Sequence, residues 1–253
     1  MLVQPDQQLD FIASASFPYS QFDVPLKLRE ALVGDLLSDG HLCLSPNKKK
    51  ARYQLTQSCQ TVGGFDYINY LRYTIYKDLC DPSSNFTPYP RHNPTQYWFG
   101  TRVFDWLADI HKEWYVLNTL TKRPKYIKVV PLNISMYLSP LVLAHWIMGD
   151  GYWQPQPNKK NKNNGTVILC TDDFTKDEVE LLVRALYLRF NLKSGSQKRT
   201  RKSGKVCYRI RFSCIDSNIK LLRSIVQRYI LRSSKYKIGI KIRRLRRNKN
   251  KII

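Results

Sequence analysis

The chain has 253 residues, 43% of them hydrophobic, and carries 42 Lys and Arg against 19 Asp and Glu, a formal net charge of +23. That length accommodates one large or two small domains with a real core, and the apolar content together with 16 Tyr excludes a disordered chain. So large a positive charge points to a polyanionic partner, and because no apolar run of about 18 residues accompanies it, nucleic acid is expected and a membrane is not.

Residues up to about Tyr19 read as an arm of uncertain order. The first twenty, MLVQPDQQLDFIASASFPYS, hold Asp6 and Asp10 and no Lys or Arg, the wrong pattern for a secretory or transit peptide, so action in the compartment of synthesis is expected. After Pro25, the stripe Leu28, Ala31, Leu32 and Leu36 predicts a helix ending near Asp39 and stopped by Gly40. Two strand-like runs follow from His41 to Ser58 around Pro46-Asn47-Lys48. The second, ARYQLTQS, places Tyr53 and Leu55 on one face and Arg52, Gln54 and Thr56 on the other. A helix over Phe65–Leu79, strand pieces within Tyr89–Gly100 and a helix over Val103–Trp114 complete an α-β-β-α-β-β-α order.

The order then repeats. Ser139-Pro140 is an N-cap followed by proline at the first helical position, opening a helix that ends at Asp150. A hairpin with a basic turn, Asn158 to Gly165, returns through TVILCTD. Thr175 to Glu178 forms a capping box ahead of a helix over Asp177–Phe190. A hairpin over Ser194–Cys214 and a helix over Asn218–Leu231 close the half. The six cysteines are scattered without a C-x-x-C pair, so free thiols rather than zinc ligands are expected. Asp39 and Asp150 lie 111 residues apart and Lys128 and Lys237 lie 109 apart, agreement that speaks for duplication. The expected organisation is an arm (1–24), a first half (25–131), a second half (132–240) and a basic tail (241–253).

The paired stretches ALVGDLLSDGHL (Ala31–Leu42) and LAHWIMGDGYW (Leu143–Trp153) resemble the two motif copies of single-chain LAGLIDADG homing endonucleases. The resemblance implies an α/β (α+β) fold of two pseudo-symmetric αββαββα halves. Antiparallel sheets would form a saddle over DNA, with the motif helices side by side at the interface. Val33, Gly34, Ser38, Ala144 and Gly149 supply small residues for that seam. Asp39 and Asp150 occupy the acidic motif position and are the implied catalytic and metal-binding residues, joined by the backbone carbonyls of Ser38 and Gly149. Lys128 and Lys237 match the basic residues beside the scissile phosphates, and Gln57 matches a polar residue bordering the metal pocket, with Asp172 as its counterpart. Two positions depart from the family pattern: His145 stands where glycine is familiar, and Asp35 where an apolar residue is usual. Because Asp35 aligns with Trp146 and has no symmetric partner, a solvent-facing or interdomain polar role is expected for it rather than metal binding.

Phosphodiester hydrolysis needs an activated water and neutralisation of the leaving oxygen, work suited to Mg²⁺ on carboxylates, with Mn²⁺ as a substitute. Strand pairs fit the major groove, where Arg reads guanine and Gln or Asn reads adenine. In KVCYRIRF, alternation puts Val206, Tyr208, Ile210 and Phe212 on a packing face and Lys205, Cys207, Arg209 and Arg211 on a reading face. Arg52 and Gln54, Arg91 and Gln96, and Lys198, Arg199, Arg201 and Lys202 are analogous DNA-binding candidates. Lys159, Lys160 and Lys162 are expected phosphate contacts, and ten basic residues without an acidic one run from Arg232 to Lys251. The expected protein is a monomer that cuts both strands of a long asymmetric duplex, leaving 3′ overhangs, in an organelle or a prokaryotic cytoplasm. The lack of splicing signals favours intron over intein mobility. The rival expectation is an RNA maturase for its host intron, with or without nuclease activity.

Overall fold

Residues 17–120, 123–156 and 164–241 are described in the computed structural model of the chain. Helix α1 (Leu26–Leu36) follows Pro25, whose fixed φ and missing N–H suit the residue ahead of a helix. It feeds the hairpin β1 (His41–Leu44) and β2 (Ala51–Ser58), turned with Lys48 at φ +58°. Helix α2 (Val62–Tyr70) is capped by Thr61, whose hydroxyl accepts from Gly64 N at 3.2 Å, and unwinds into a π turn over Leu71–Ile75. Strands β3 (Thr87–Tyr89) and β4 (Gln96–Gly100) and helix α3 (Asp105–Trp114) complete the half. A short ribbon, β5 (Tyr115–Asn118) and β6 (Lys125–Lys128), then carries the chain back toward α1.

The second half repeats the plan with α4 (Pro140–Asp150), β7 (Gly151–Pro155), β8 (Gly165–Leu169), α5 (Lys176–Phe190), β9 (Ser194–Thr200), β10 (Val206–Phe212) and α6 (Asp216–Val226). The sheets run β1-β2-β4-β3 and β7-β8-β10-β9, all neighbours antiparallel, so the strands correspond one for one. The expected Ser139 cap is formed, its hydroxyl accepting from Val142 N at 3.2 Å, and both arms of the Thr175–Glu178 capping box are present. No helix among the described residues is long and apolar enough to cross a membrane.

Between the halves, α1 and α4 pack backbone to backbone. A methyl group on Gly34 would stand 2.5 Å from His145 Cβ and 2.6 Å from Val142 O, and one on Gly149 would stand 2.3 Å from Ser38 Oγ. Every residue of α4 from Leu141 to Gly149 is buried, as befits a helix apolar all round.

Several expected boundaries move. Phe17 and Tyr19, placed in the arm, are buried: Tyr19 donates to Glu113 at 2.8 Å and accepts from Trp114 Nε1 at 2.8 Å. Regular helix ends at Leu36 rather than near Asp39. Ser38 N and Gly40 N both donate to Asp35 O, closing a turn in which a side chain at Gly40 would meet that same oxygen at 2.8 Å. The helix expected over Phe65–Leu79 is interrupted by the π turn. Helix α6 stops at Val226, and a 3₁₀ segment, Arg232–Ile238, brings Lys237 to α4.

Candidate active site

The C-terminal ends of α1 and α4 converge with their last carbonyls unpaired within the helices, and partial negative charge gathers there. Lys128, the last residue of β6, donates to Leu36 O, Ser38 O and Gly40 O at 2.9, 2.9 and 2.7 Å. Lys237 does the same for the other helix, donating to Met148 O and Gly149 O at 2.6 and 2.8 Å. The two lysines thus close matching helix ends. Burial pushes Lys128 down to about 8 against the opposing pull of Asp150 and Asp39, and lowers Lys237 for the same reason.

Asp39, just beyond α1, and Asp150, the last residue of α4, line one cavity and lie close enough to feel each other's charge. Withdrawal from water raises both. Repulsion from Asp39 adds to the rise at Asp150, to about 8, while Lys128 and Lys237 pull the other way. Both aspartates line a cavity of about 430 Å³ whose wall also includes Lys128, Asp172, Asp173 and Arg201. Cys170, from the same wall, donates its backbone N–H to Asp150 O at 3.2 Å.

The expected partners of this pair are placed unevenly. Gln57 lies opposite Tyr97 on the packing face of its sheet, with Leu55 and away from Arg52 and Gln54, and its buried Oε1 has no partner. Asp172 is not its register counterpart: Leu55 sits opposite Phe99 as Leu169 sits opposite Ile210, which matches Gln57 with Thr171 and Asp172 with Ser58. Asp172 instead accepts two hydrogen bonds from Arg209, at 2.6 and 2.7 Å, and this clamp holds its carboxyl down to about 2.

On the outer face of the first sheet, register aligns Arg52, Gln54 and Gln96 with His41, Cys43 and Trp98. On the second, Arg209 and Arg211 share a face with Gln197, Arg199, Tyr152 and Gln154, and Arg211 donates to Gln154 at 2.8 Å. His41, Tyr152, Gln154 and Gln197 were missed as members of this surface, although alternation along their strands carries the signal. Two expectations for this hairpin fail. Lys198 pairs with Tyr208 and so lies on the opposite face from Arg199. Val206 is 43% exposed and Cys207 is 2% exposed, the reverse of the expected alternation, because Cys207 is tucked against the Arg199 carbonyl and Asp172 while the hairpin tip leaves Val206 without cover. Arg91, Lys202 and Lys205 are exposed near the hairpin tips, and Arg201 is half-buried. Lys159, Lys160 and Lys162, and the tail beyond residue 241, lie outside the described residues.

Asp35 is fully buried, so the solvent-facing alternative fails and the interdomain one holds. It accepts from Tyr67 at 2.6 Å, Tyr76 at 2.7 Å and Tyr53 at 3.2 Å, and His145 Nδ1 from the other motif helix lies 3.2 Å away. Desolvation, reinforced by the Asp35 charge, raises all three phenols well above their ordinary range, so they stay donors. The two departures from the motif pattern, Asp35 and His145, therefore meet each other across the seam.

The sequence model of the LAGLIDADG DNA endonuclease family matches residues 29–219. The chain belongs to the LAGLIDADG DNA endonuclease family. It is 33% identical over 141 residues to the cytochrome b mRNA maturase bI2 of Debaryomyces hansenii, a match covering 56% of this chain and 45% of that one. It is 24% identical over 221 residues to the DNA endonuclease I-ChuI of Chlamydomonas applanata, covering 83% and 94%. The chain spans about half the length of the yeast maturases it matches. Its fold is that of the homing endonuclease I-WcaI solved with its DNA recognition sequence, with a TM-score of 0.64, 21% identity and coverage of 95% and 96%. As a LAGLIDADG chain it presents both motif helices in one polypeptide, with one aspartate from each.

Proposed function

We propose that this LAGLIDADG chain is a site-specific homing endonuclease that hydrolyses both strands of a long, asymmetric duplex in a divalent-metal-dependent reaction, leaving 3′ overhangs and serving intron mobility. The observation that carries the reading is the placement of Asp39 and Asp150 on the wall of one cavity at two lysine-capped helix ends, beside two sheets faced with Arg and Gln. Carboxylates that repel each other and lack water suit a hard divalent cation. The donors at hand are all oxygen: two carboxylates, with Ser38 O and Gly149 O behind them, each keeping a lone pair beside its lysine bond. Mg²⁺, or Mn²⁺ in its place, when bound would supply an activated water and neutralise the leaving 3′ oxygen.

The chain's own residues do the rest. Lys128 and Lys237 fix the helix ends and place positive charge beside the phosphate entering each half-site, Lys128 with all three of its N–H donors already on carbonyls. Arg52, Gln54, Gln96 and Arg211 read base edges, while the exposed basic residues near the hairpin tips hold the backbone and Arg209, expected to read a base, is instead clamped on Asp172. The protein works as a monomer, since both half-sites lie in one chain, and acts in an organelle or a prokaryotic cytoplasm. Selection of cleaved molecules from a randomised duplex library in Mg²⁺ tests the reading: one long asymmetric site should emerge, and no cleavage with or without metal would refute it. A second reading, assistance to splicing of a host intron RNA, is favoured by the 33% identity to a maturase. It predicts splicing of that intron in vitro only when the protein is added.

A further inference from the structure

The two half-sites, alike in their aspartates and lysines, differ in the charges around them. Counting three residues beyond the register pair of Leu55 and Leu169 reaches Ser58 in the first half and Asp172 in the second. Counting one back from Phe99 and Ile210 reaches Trp98 and Arg209. A hydroxyl and an indole thus stand where the second half has a carboxylate and a guanidinium. Arg209 grips Asp172 through Nε and Nη2 at 2.6 and 2.7 Å, with the side chains only 15% and 13% exposed, and is braced by the Tyr152 hydroxyl at 3.4 Å. Arg201 joins from the hairpin tip: its Nη2 lies 3.2 Å from Asp172 Oδ2 and 3.7 Å from Asp173 Oδ1. Its side chain is 39% exposed and belongs to the wall of the cavity that holds Asp39, Asp150 and Lys128.

Asp172 is already gripped by the fork of Arg209, so Arg201 is the outer and more exposed of its two guanidinium partners, with Asp173 as a second, longer contact. It is fixed by one edge and keeps further N–H donors for an incoming group. A DNA phosphate entering this cavity meets Arg201, which has donors to spare, and the charge of Lys128, whose three donors are on carbonyls. We propose that Asp172, pinned by Arg209, is a positioning residue that holds Arg201 at the wall of the shared cavity on the side of Lys128, so that the strand lying against that side is cut before the other. The inference rests on the endonuclease reading and deepens it. Pre-positioning matters because a guanidinium already fixed loses little freedom when it binds a phosphate, and a charge aimed at the reacting group acts without reorganisation.

The test is single-turnover cleavage in Mg²⁺ of a selected duplex target labelled separately on each strand, for wild type, Arg201→Gln, Arg201→Lys and Asp172→Asn. Wild type should pass through an intermediate nicked in one fixed strand. Arg201→Gln should slow that strand by roughly tenfold and the other by less than about twofold, and Arg201→Lys should recover most of the loss. Asp172→Asn, which unpins Arg201 but leaves its charge, should blur the strand order. The strand slowed by Arg201→Gln should be the one slowed by Lys128→Met and the opposite of the one slowed by Lys237→Met. Because Arg201 is partly exposed and Asp172 keeps the clamp of Arg209, its substitution should move the melting temperature by no more than a few degrees, separating this effect from misfolding. Equal slowing of both strands by Arg201→Gln, or slowing of the strand assigned to Lys237, overturns the proposal while leaving the endonuclease reading intact. Failure of wild type to cut either strand overturns both.

Discussion

Replacing Gly34 with alanine puts a methyl group into the seam between α1 and α4, 2.6 Å from the carbonyl oxygen of Val142 and 2.5 Å from His145 Cβ. Ordinary contact begins near 3.4 Å, so the oxygen would have to retreat by about 0.8 Å. Neither neighbour is the free end of a side chain: one is main chain in the middle of a buried helix, and the other is anchored by its own backbone and by the contact of its ring with Asp35. Overpacking of this kind costs about 3 kcal/mol, and the better helix propensity of alanine returns about 1 kcal/mol. The net loss of about 2 kcal/mol corresponds to a fall of roughly 4–8 °C in Tm for a chain of this size. The assay is thermal unfolding by circular dichroism, with Gly195→Ala, where a methyl group meets nothing within 4 Å, as the matched control. Because Asp39 lies just beyond α1, the same substitution should slow cleavage of both strands. A melting temperature for Gly34→Ala equal to that of the control would refute the claim that the two motif helices touch backbone to backbone.

Asp35→Ala strands three buried tyrosine hydroxyls and should cost about 3–5 kcal/mol, read by chemical denaturation; a loss under about 1 kcal/mol would mean that the cluster is hydrated rather than sealed. For Asp150 the folded value of about 8 lies above the ordinary 3.8, so the folded chain binds more protons between those values. Its contribution to metal-free stability is therefore lost as pH rises through about 4 to 8, and Asp150→Asn should be the more stable protein near pH 8 but not near pH 4, as differential scanning calorimetry would show. Lys128, lowered from 10.5 to about 8, has the opposite sign in its own window and adds stability as pH rises between those values. Because a cation at the two aspartates competes with protons, the Tm gained from Mg²⁺ should be larger near pH 8 than near pH 6 in the wild type, and equal gains would contradict the assignment. Lys128→Met leaves three helix-end carbonyls without their donor and should lower Tm as well as cleavage rate, the first effect persisting without metal.

Much of this architecture was legible because duplication doubles every signal. An Asp-Gly after one apolar stripe is an ordinary helix end, whereas two at matching distance from two lysines define half-sites, and the strands between them alternate clearly enough to place Arg52, Gln54, Arg209 and Arg211. What escaped depends on contacts between elements far apart in sequence. Nothing in the spacing of Tyr53, Tyr67 and Tyr76 says that they converge on Asp35, and no pattern links Asp35 to His145, 110 residues away. The ribbon of β5 and β6 was overlooked although Tyr115-Val116-Leu117 and Tyr126-Ile127 carry the aromatic and branched residues typical of strands. The pairing of Gln57 with Asp172 failed by one residue, and in a strand one residue is the difference between the two faces. That slip hid the Asp172–Arg209 clamp, which turns a supposed pocket-border residue into an ion pair.

The account stands most directly on the shared use of Asp39 and Asp150. Each should be changed to asparagine separately and assayed on one selected target for binding and for cleavage of each strand in Mg²⁺. The account predicts that either substitution leaves binding within a few-fold of wild type and reduces cutting of both strands by at least about a hundredfold, since the carboxylates form one site rather than two. Undiminished cutting of either strand by either variant would contradict it.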